Sequence, residues 1–381
     1  MSTAHTITIT LFITTTLLVS SNAKPLFPAI FIFGDSTVDT GNNNFPSQTI
    51  FRAKHVPYGI DFPSHSPNGR FSNGKIFSDI IATKLNIKQF VPPFLQPNLT
   101  DQDIVTGVCF ASAGAGYDDQ TSLITQAIRV SEQPNMFKSY IARLKSIVGD
   151  KKAMKIINNA FVVVSAGPND FILNYYDVPS WRRVYPSISD YQDFVLHRLN
   201  NFVRELYSLG CRKFLVGGLP PMGCLPIQMT AQFRNVLRYC LEQENRDSVL
   251  YNQKLQKLLP KIEASLTGSK ILYSNVYEPM MDMIQNPSKY GIHRKIFLVP
   301  QVILVRFYNI FVCGIKTGFT ETTRGCCGTG FLETSFMCNA YSPLCQNRSE
   351  FLFFDSIHPS EAAYSYIGNV LDAKIRGWLR G

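Results

Sequence analysis

The sequence predicts a doubly wound α/β domain. Four short runs, residues 29–33, 160–166, 213–217 and 271–274, are mostly apolar without alternation, which suits strands of a parallel sheet covered on both faces. Each run passes through loop residues into a helical pattern, the alternation that winds a chain into α/β layers. No internal repeat or flexible linker is visible, so residues 24–381 are expected to form a single domain.

A weaker strand is expected at 105–111. Helical spacing predicts helices at 76–85, 122–148, 191–209, 236–259 and 362–378. Pro134 is expected to break or kink the second, because proline removes a helical donor. Residues 292–317 fit no such element. They hold four basic residues and no acidic one among aliphatic and aromatic side chains. Pro300, Gln301, Arg306 and Asn309 spoil them as a membrane span, and as a core helix they lack a polar face.

Hydrophobic residues make up 45% of the 381 and charged residues 17%, an ordinary balance for a globular protein and not for a disordered one. The formal net charge is +10, but the basic residues are scattered, with Lys151-Lys152 and Arg182-Arg183 the longest local groups. A nucleic-acid binder would cluster them, so the excess reads as solvated surface and no nucleic-acid partner is expected. Residues 1–23 carry no Asp, Glu, Lys or Arg, contain an apolar and Thr-rich stretch, and end in Ser21-Asn22-Ala23. This is the pattern of a secretory signal peptide, although its start lacks the usual basic residue. It is too short and polar for a transmembrane anchor. Export agrees with the nine cysteines and with the glycosylation sequons at Asn98 and Asn347. Cys326, Cys327, Cys338 and Cys345 fall close together, but the adjacent pair does not offer zinc-ligand spacing, so disulfides are expected and no metal.

Four places carry candidate chemistry. The first strand runs straight into Gly34-Asp35-Ser36. Ligands of a parallel sheet bind beyond the carboxyl ends of its strands, so Ser36 is placed for attack. Asp355-Ser356-Ile357-His358 precedes the last helix. A serine needs a base, the base needs an acceptor on its second ring nitrogen, and this one turn can supply both. The small residues of GVCFASAGAG, 107–116, let backbone amides approach a substrate oxygen, and Asn169 in Gly167-Pro168-Asn169-Asp170 can donate to developing negative charge. Taken singly, each is equally an ordinary cap or turn.

Their order along the chain resembles the plant GDSL esterase/lipase family of the SGNH hydrolases. The matching blocks are FIFGDSTVDTGNNN, NGRFSNGK, GVCFASAGAG, GPND and DSIHP, with LPPMGCLP and GCCGTG as further marks of the plant branch. The resemblance covers nearly all of residues 24–381. It implies a three-layer α/β/α sandwich with a central parallel sheet, flavodoxin-like. The G-x-S-x-G elbow of α/β-hydrolases is absent, since Val38 stands where its second glycine would be. It implies Ser36 as nucleophile, His358 as base and Asp355 as its orienting acid. The oxyanion hole would be the Ser36 and Gly114 N–H groups with the Asn169 side chain. No cofactor is implied. Cys109 and Ala113 depart from the family pattern, which has Asn and commonly Gly there.

The activity implied is hydrolysis of a carboxylic ester of a lipid, polysaccharide or small molecule through an acyl-serine, by a secreted, extracellular monomer. Acyl transfer to an alcohol would use the same residues, and a silent secreted binding protein would keep the fold without turnover. Cys224 is expected to pair with Cys240, and Cys326, Cys327, Cys338 and Cys345 to form two bridges in one of three connectivities, leaving Cys109, Cys211 and Cys313 unpaired. Removing 292–317 restores an uninterrupted family pattern. That stretch reads as an atypical insertion, either a translated intron or an apolar lid, outside the α/β core.

Overall fold

The computed structural model describes residues 24–46, 48–177, 185, 187–232, 235–290 and 318–380. The expected leader at 1–23 and the insertion at 292–317 lie outside them. Strands β1 (Ile30–Gly34), β2 (Phe161–Ser165), β3 (Lys213–Gly217) and β4 (Lys270–Ser274) form a parallel sheet in the order β1-β2-β3-β4. The weaker run pairs on the free side of β1: Phe110 N–H donates to Ile32 O at 2.7 Å and Ser112 N–H to Gly34 O at 3.0 Å. Its register to β1 is parallel, through Ile32 and Cys109. The chain thus leaves β1 to one side and later to the other. The carboxyl end of β1 is the switch point where parallel sheets open a crevice.

The helices are α1 (Phe77–Lys84), α2 (Asp101–Thr106), α3 (Asp119–Thr125), α4 (Gln133–Val148), α5 (Asp150–Asn159), α6 (Pro168–Phe171), α7 (Ile188–Ser208), α8 (Pro226–Ala231), α9 (Glu242–Ser265), α10 (Tyr277–Gln285) and α11 (Glu361–Trp378). Side chains alternate across a strand, and here both faces are apolar. Phe31, Val162 and Phe214 pack with Phe137 of α4, Ile157 of α5, Leu199 of α7 and Leu255 of α9. Ile32, Val163 and Leu215 pack with Ile81 of α1, Met283 of α10 and Ile367 of α11. The result is an α/β fold with its parallel sheet between two helical layers. Each such fully buried aliphatic or aromatic side chain stabilises the fold by roughly 1.5–3 kcal/mol.

Several boundaries differ from expectation. The helix expected over 122–148 is two, α3 and α4. Gln126 in left-handed conformation (φ 54°) ends the first, and Pro134 sits in the first turn of the second, where its missing N–H costs nothing. The helix expected from 236 begins at Glu242, after a loop held by the Cys224–Cys240 disulfide. Helices α5 and α10 and a small parallel pair, β5 (Glu321–Gly325) with β6 (Phe351–Phe353), were not expected. The residues of β5, ETTRG, alternate no apolar face, so periodicity could not mark them.

Disulfides join Cys326 to Cys345 and Cys327 to Cys338. With Tyr58, Phe71 and Phe354 three of these cysteines form a third apolar cluster, next to the turn that carries His358. Cys109 and Cys211 are buried thiols, and Cys313 lies outside the described residues.

Candidate active site

The site grows from the carboxyl end of β1. Gly34 has φ +141°, and a Cβ there would fall 1.8 Å from Ser165 O, so only glycine fits. The chain then turns sharply. Asp35 N–H donates to Ser165 O at 3.0 Å, and Asp35 Oδ1 accepts from the Thr37 N–H and hydroxyl at 2.9 and 2.7 Å. Ser36, 7% exposed, stands at the bend. Burial pushes the carboxyls of Asp35 and Asp39 up to about 6, although hydrogen bonds from Thr37 and from Gly41 and Asn42 pull the other way.

The turn before α11 meets Ser36 across 322 residues of sequence: Ser36 Oγ lies 2.8 Å from His358 Nε2. His358 Nδ1 lies 2.8 and 2.9 Å from the two Asp355 oxygens. An Nδ1–H donated to that carboxylate leaves Nε2 free to accept from the serine hydroxyl; the tautomer is assigned from this network. Burial alone would raise the Asp355 carboxyl. The His358 charge and the hydrogen bonds from its ring and backbone, and from Tyr58, outweigh it and hold the group below its usual value. The structure therefore brings together Ser36, Asp355 and His358 as the motifs anticipated.

Two supports were not anticipated. The Tyr58 and Thr334 hydroxyls donate to Asp355 Oδ2 at 2.7 and 2.9 Å. Nothing local marks either residue. Phe71 packs on the imidazole with ring centroids 4.8 Å apart. Phe71 belongs to the block NGRFSNGK, whose sequence alone gives no sign of this contact.

The third and fourth motifs meet each other at Ala115 O and keep donors unused. Among the described residues no protein acceptor takes up the N–H of Ser36 or of Gly114. Asn169 Nδ2 donates one hydrogen to Ala115 O at 3.0 Å, leaving its other free. Gly114 has φ +84°, and a Cβ would lie 2.8 Å from the Phe51 ring and 2.9 Å from Thr125. The Asn-rich end of the first block holds this loop. Asn42 Nδ2 donates to Cys109 O and Ala111 O at 2.9 and 2.8 Å, and Asn43 Nδ2 to Ala113 O at 2.8 Å. Ala113 N–H donates to Asp39 Oδ2 at 3.1 Å. Cys109 donates its thiol to Val38 O at 3.3 Å, and burial pushes that thiol up to about 12, so it stays protonated. The family's usual Asn at 109 is thus replaced without losing the hold on the loop backbone.

The sequon residues Asn98 and Asn347 are both exposed. Among the described residues there is no group of His, Cys, Asp and Glu able to hold a metal ion, and no helix long and apolar enough to cross a membrane.

Comparison with known proteins identifies the family. The pattern of the GDSL-like Lipase/Acylhydrolase family matches residues 30–371. The Arabidopsis thaliana protein GDSL esterase/lipase At1g58430 is 82% identical over 386 aligned residues, covering 100% of each chain. Two more from that plant, GDSL esterase/lipase At2g24560 and GDSL esterase/lipase At1g06990, are 74% and 49% identical, covering 100% and 90% of this chain and 98% and 87% of their own. The chain belongs to the GDSL-like lipase/acylhydrolase family of carboxylic ester hydrolases.

Proposed function

We propose that this protein is a secreted esterase that cleaves acyl esters through a covalent acyl-serine. The observation that carries the reading is the unbroken chain Ser36 Oγ–His358 Nε2 and His358 Nδ1–Asp355, at 2.8 Å for each link. His358 takes the Ser36 proton as Oγ attacks the ester carbonyl, and Asp355 stabilises the imidazolium that forms. The carbonyl oxygen, now negative, receives the free N–H groups of Ser36 and Gly114 and the spare Asn169 hydrogen. One such donor is commonly worth about 2.7–4 kcal/mol in the transition state. His358 then protonates the leaving alcohol, and water repeats the sequence on the acyl-enzyme.

Secretion is supported by the leader-like residues 1–23, three disulfides and two exposed sequons. Residues 24–381 would then act as one catalytic domain with no cofactor. The test is pre-steady-state hydrolysis of p-nitrophenyl acetate by the purified mature protein. A nitrophenol burst equal to the enzyme concentration, lost in Ser36→Ala and His358→Ala with folding intact, is the expected result. Wild-type turnover in Ser36→Ala would overturn the mechanism. Joint loss should cost little more than either single loss, because the two groups act as one unit.

A further inference from the structure

One of the two glycosylation sequons forms part of the wall of a hollow that the proposed mechanism does not use. The hollow has a volume of about 1110 Å³, its open mouth included, and lies between the N-terminal half of α11 and the loop that carries Asn347. Tyr290, Phe319 and Tyr366 give it an aromatic lining, and the two tyrosine rings meet edge to face with centroids 4.3 Å apart. Gln346, Ser365 and Asn369 also line it, and their side chains make no hydrogen bond among the described residues. Aromatic surface with a few convergent polar groups suits a ligand with apolar C–H faces edged by hydroxyls, which is the pattern of a pyranose.

Asn347 is exposed and lines this hollow, and it opens the sequon Asn347-Arg348-Ser349. Its amide is held at both ends. Oδ1 accepts from the Ser349 hydroxyl at 2.8 Å, and Nδ2 donates one hydrogen to Glu350 Oε1 at 2.7 Å. An N-linked sugar replaces the other Nδ2 hydrogen, so both bonds survive the modification and the first ring leaves from a fixed amide. The sequon is already joined to α11. Arg348 donates to the two Asp61 oxygens at 2.6 and 2.7 Å, Asn73 Nδ2 donates to Asp61 Oδ2 at 2.8 Å, and Glu361 N–H donates to Asn73 Oδ1 at 2.9 Å. Asn347 also borders a second hollow, of about 790 Å³, beside the Cys326–Cys345 disulfide, but Phe351 is the one aromatic side chain there.

We infer that Asn347 carries an N-linked glycan whose proximal N-acetylglucosamine rings lie in the first hollow against Tyr366, bracing α11 against the sequon loop. The inference rests on the secretion part of the proposed function, because sequons are modified on chains that enter the secretory route. Asn98 supplies the contrast. It is exposed in a left-handed conformation (φ 62°) and lines neither hollow, so its glycan stands in solvent.

The test uses the full chain, residues 1–23 included, secreted from human cells and treated with peptide N-glycosidase F without denaturant. Mass spectrometry of each sequon peptide gives the two release rates. Release at Asn347 should be about tenfold slower than at Asn98, or slower still, because the enzyme must wait for the glycan to leave the hollow. The two rates should become equal in protein unfolded beforehand. Tyr366→Ala should raise the Asn347 rate about tenfold and leave the Asn98 rate unchanged. Equal rates in the folded wild type, a difference that persists after unfolding, or an unchanged Asn347 rate in a Tyr366→Ala protein with a cooperative thermal transition would each overturn the inference. Should that variant not fold, Ser365→Trp, which fills the hollow from α11, carries the same expectation. Should neither fold, a crystal structure of the wild-type glycoprotein decides. Sugar rings against Tyr366 support the inference, and a glycan in solvent or a hollow filled by another part of the chain ends it. Failure here differs from failure of the secretion reading. Sugar at Asn98 with none at Asn347 sinks the inference alone, whereas sugar at neither sequon sinks secretion and the inference with it.

Discussion

The side-chain amide of Gln133 closes a two-point hydrogen-bonded pair on Gly34, 99 residues earlier in the chain. Its oxygen accepts from Gly34 N–H at 2.9 Å, and its nitrogen donates to Gly34 O at 2.8 Å. Gln133 is fully buried in the first turn of α4. It thus fixes both polar groups of the residue from which the chain turns toward Ser36. Gln133→Leu is expected to leave the Gly34 N–H unpaired, at about 1–3 kcal/mol, while Gly34 O keeps the Ser112 N–H at 3.0 Å. Because the nucleophile is displaced and no substrate contact is lost, kcat should fall about tenfold or more with KM little changed. Gln133→Glu, isosteric but without the donor, should fall between. An unaltered kcat in a folded Gln133→Leu would show that α4 positions nothing.

Asp355 accepts from five donors: the His358 ring and N–H, the Ile357 N–H and the Tyr58 and Thr334 hydroxyls. Asp355→Asn keeps the base but supplies a donor where acceptors are needed. A loss of about 10⁴ in kcat is expected, still less than for Ser36→Ala. Steady-state kinetics of Asp355→Asn, Ser36→Ala and His358→Ala side by side check that order.

The same carboxyl yields a pH prediction. Its folded pKa is below the unfolded value of about 3.9, so its ionised form contributes stability that is fully present above that value. That contribution is lost as pH falls through the lower, folded pKa. Urea unfolding should show a wild-type advantage over Asp355→Asn that is constant from pH 7 to about pH 5 and shrinks in stronger acid. An advantage that grew on acidification would contradict the assignment.

Gly114→Ala should cost activity out of proportion to its size. The added methyl would lie 2.8 Å from Phe51 and 2.9 Å from Thr125, and φ at this residue is +84°. Strain of about 1–3 kcal/mol would be relieved by moving the loop, and with it the free Gly114 N–H. Turnover is expected to fall ten- to a hundredfold while acyl-chain preference is kept. Wild-type turnover in a folded Gly114→Ala would remove Gly114 from the oxyanion hole.

Deleting 292–317 should leave the fold and the Ser36–His358 geometry intact. The two flanks already meet, since Phe319 N–H donates to Pro287 O at 3.1 Å and the Tyr290 and Phe319 rings lie 6.2 Å apart. A deletion protein with the same nitrophenol burst and a cooperative thermal transition is the expected outcome. Failure of that protein to fold, where the full chain folds, would make the segment part of the core. Messages that retain the 26 codons after splicing would rule out a translated intron as their origin.

What the sequence determined by itself was local. Four apolar runs marked the strands to within a residue at either end, because both-face burial of Val162–Val164 or Phe31–Phe33 leaves a plain one-dimensional trace. The strand–Gly34–Asp35–Ser36 junction and the Asp355–His358 turn were legible for the same reason: each does its work within a few residues. Tertiary structure decided the rest. Gln133, Tyr58 and Thr334 reach their partners across 99, 297 and 21 residues, and no pattern around them says so. The same holds for the pairing of Cys326 with Cys345 and Cys327 with Cys338, where four neighbouring thiols are equivalent until the fold sets their separations. Helix breaks at Gln126 and before Glu242 were missed because the loop geometry there, not hydrophobic period, ends the helix. A hydrogen bond or a disulfide depends on distances in space, and only the packing of α4 and α11 on the parallel sheet, and of the cysteine-rich loop on Tyr58, Phe71 and Phe354, creates those distances.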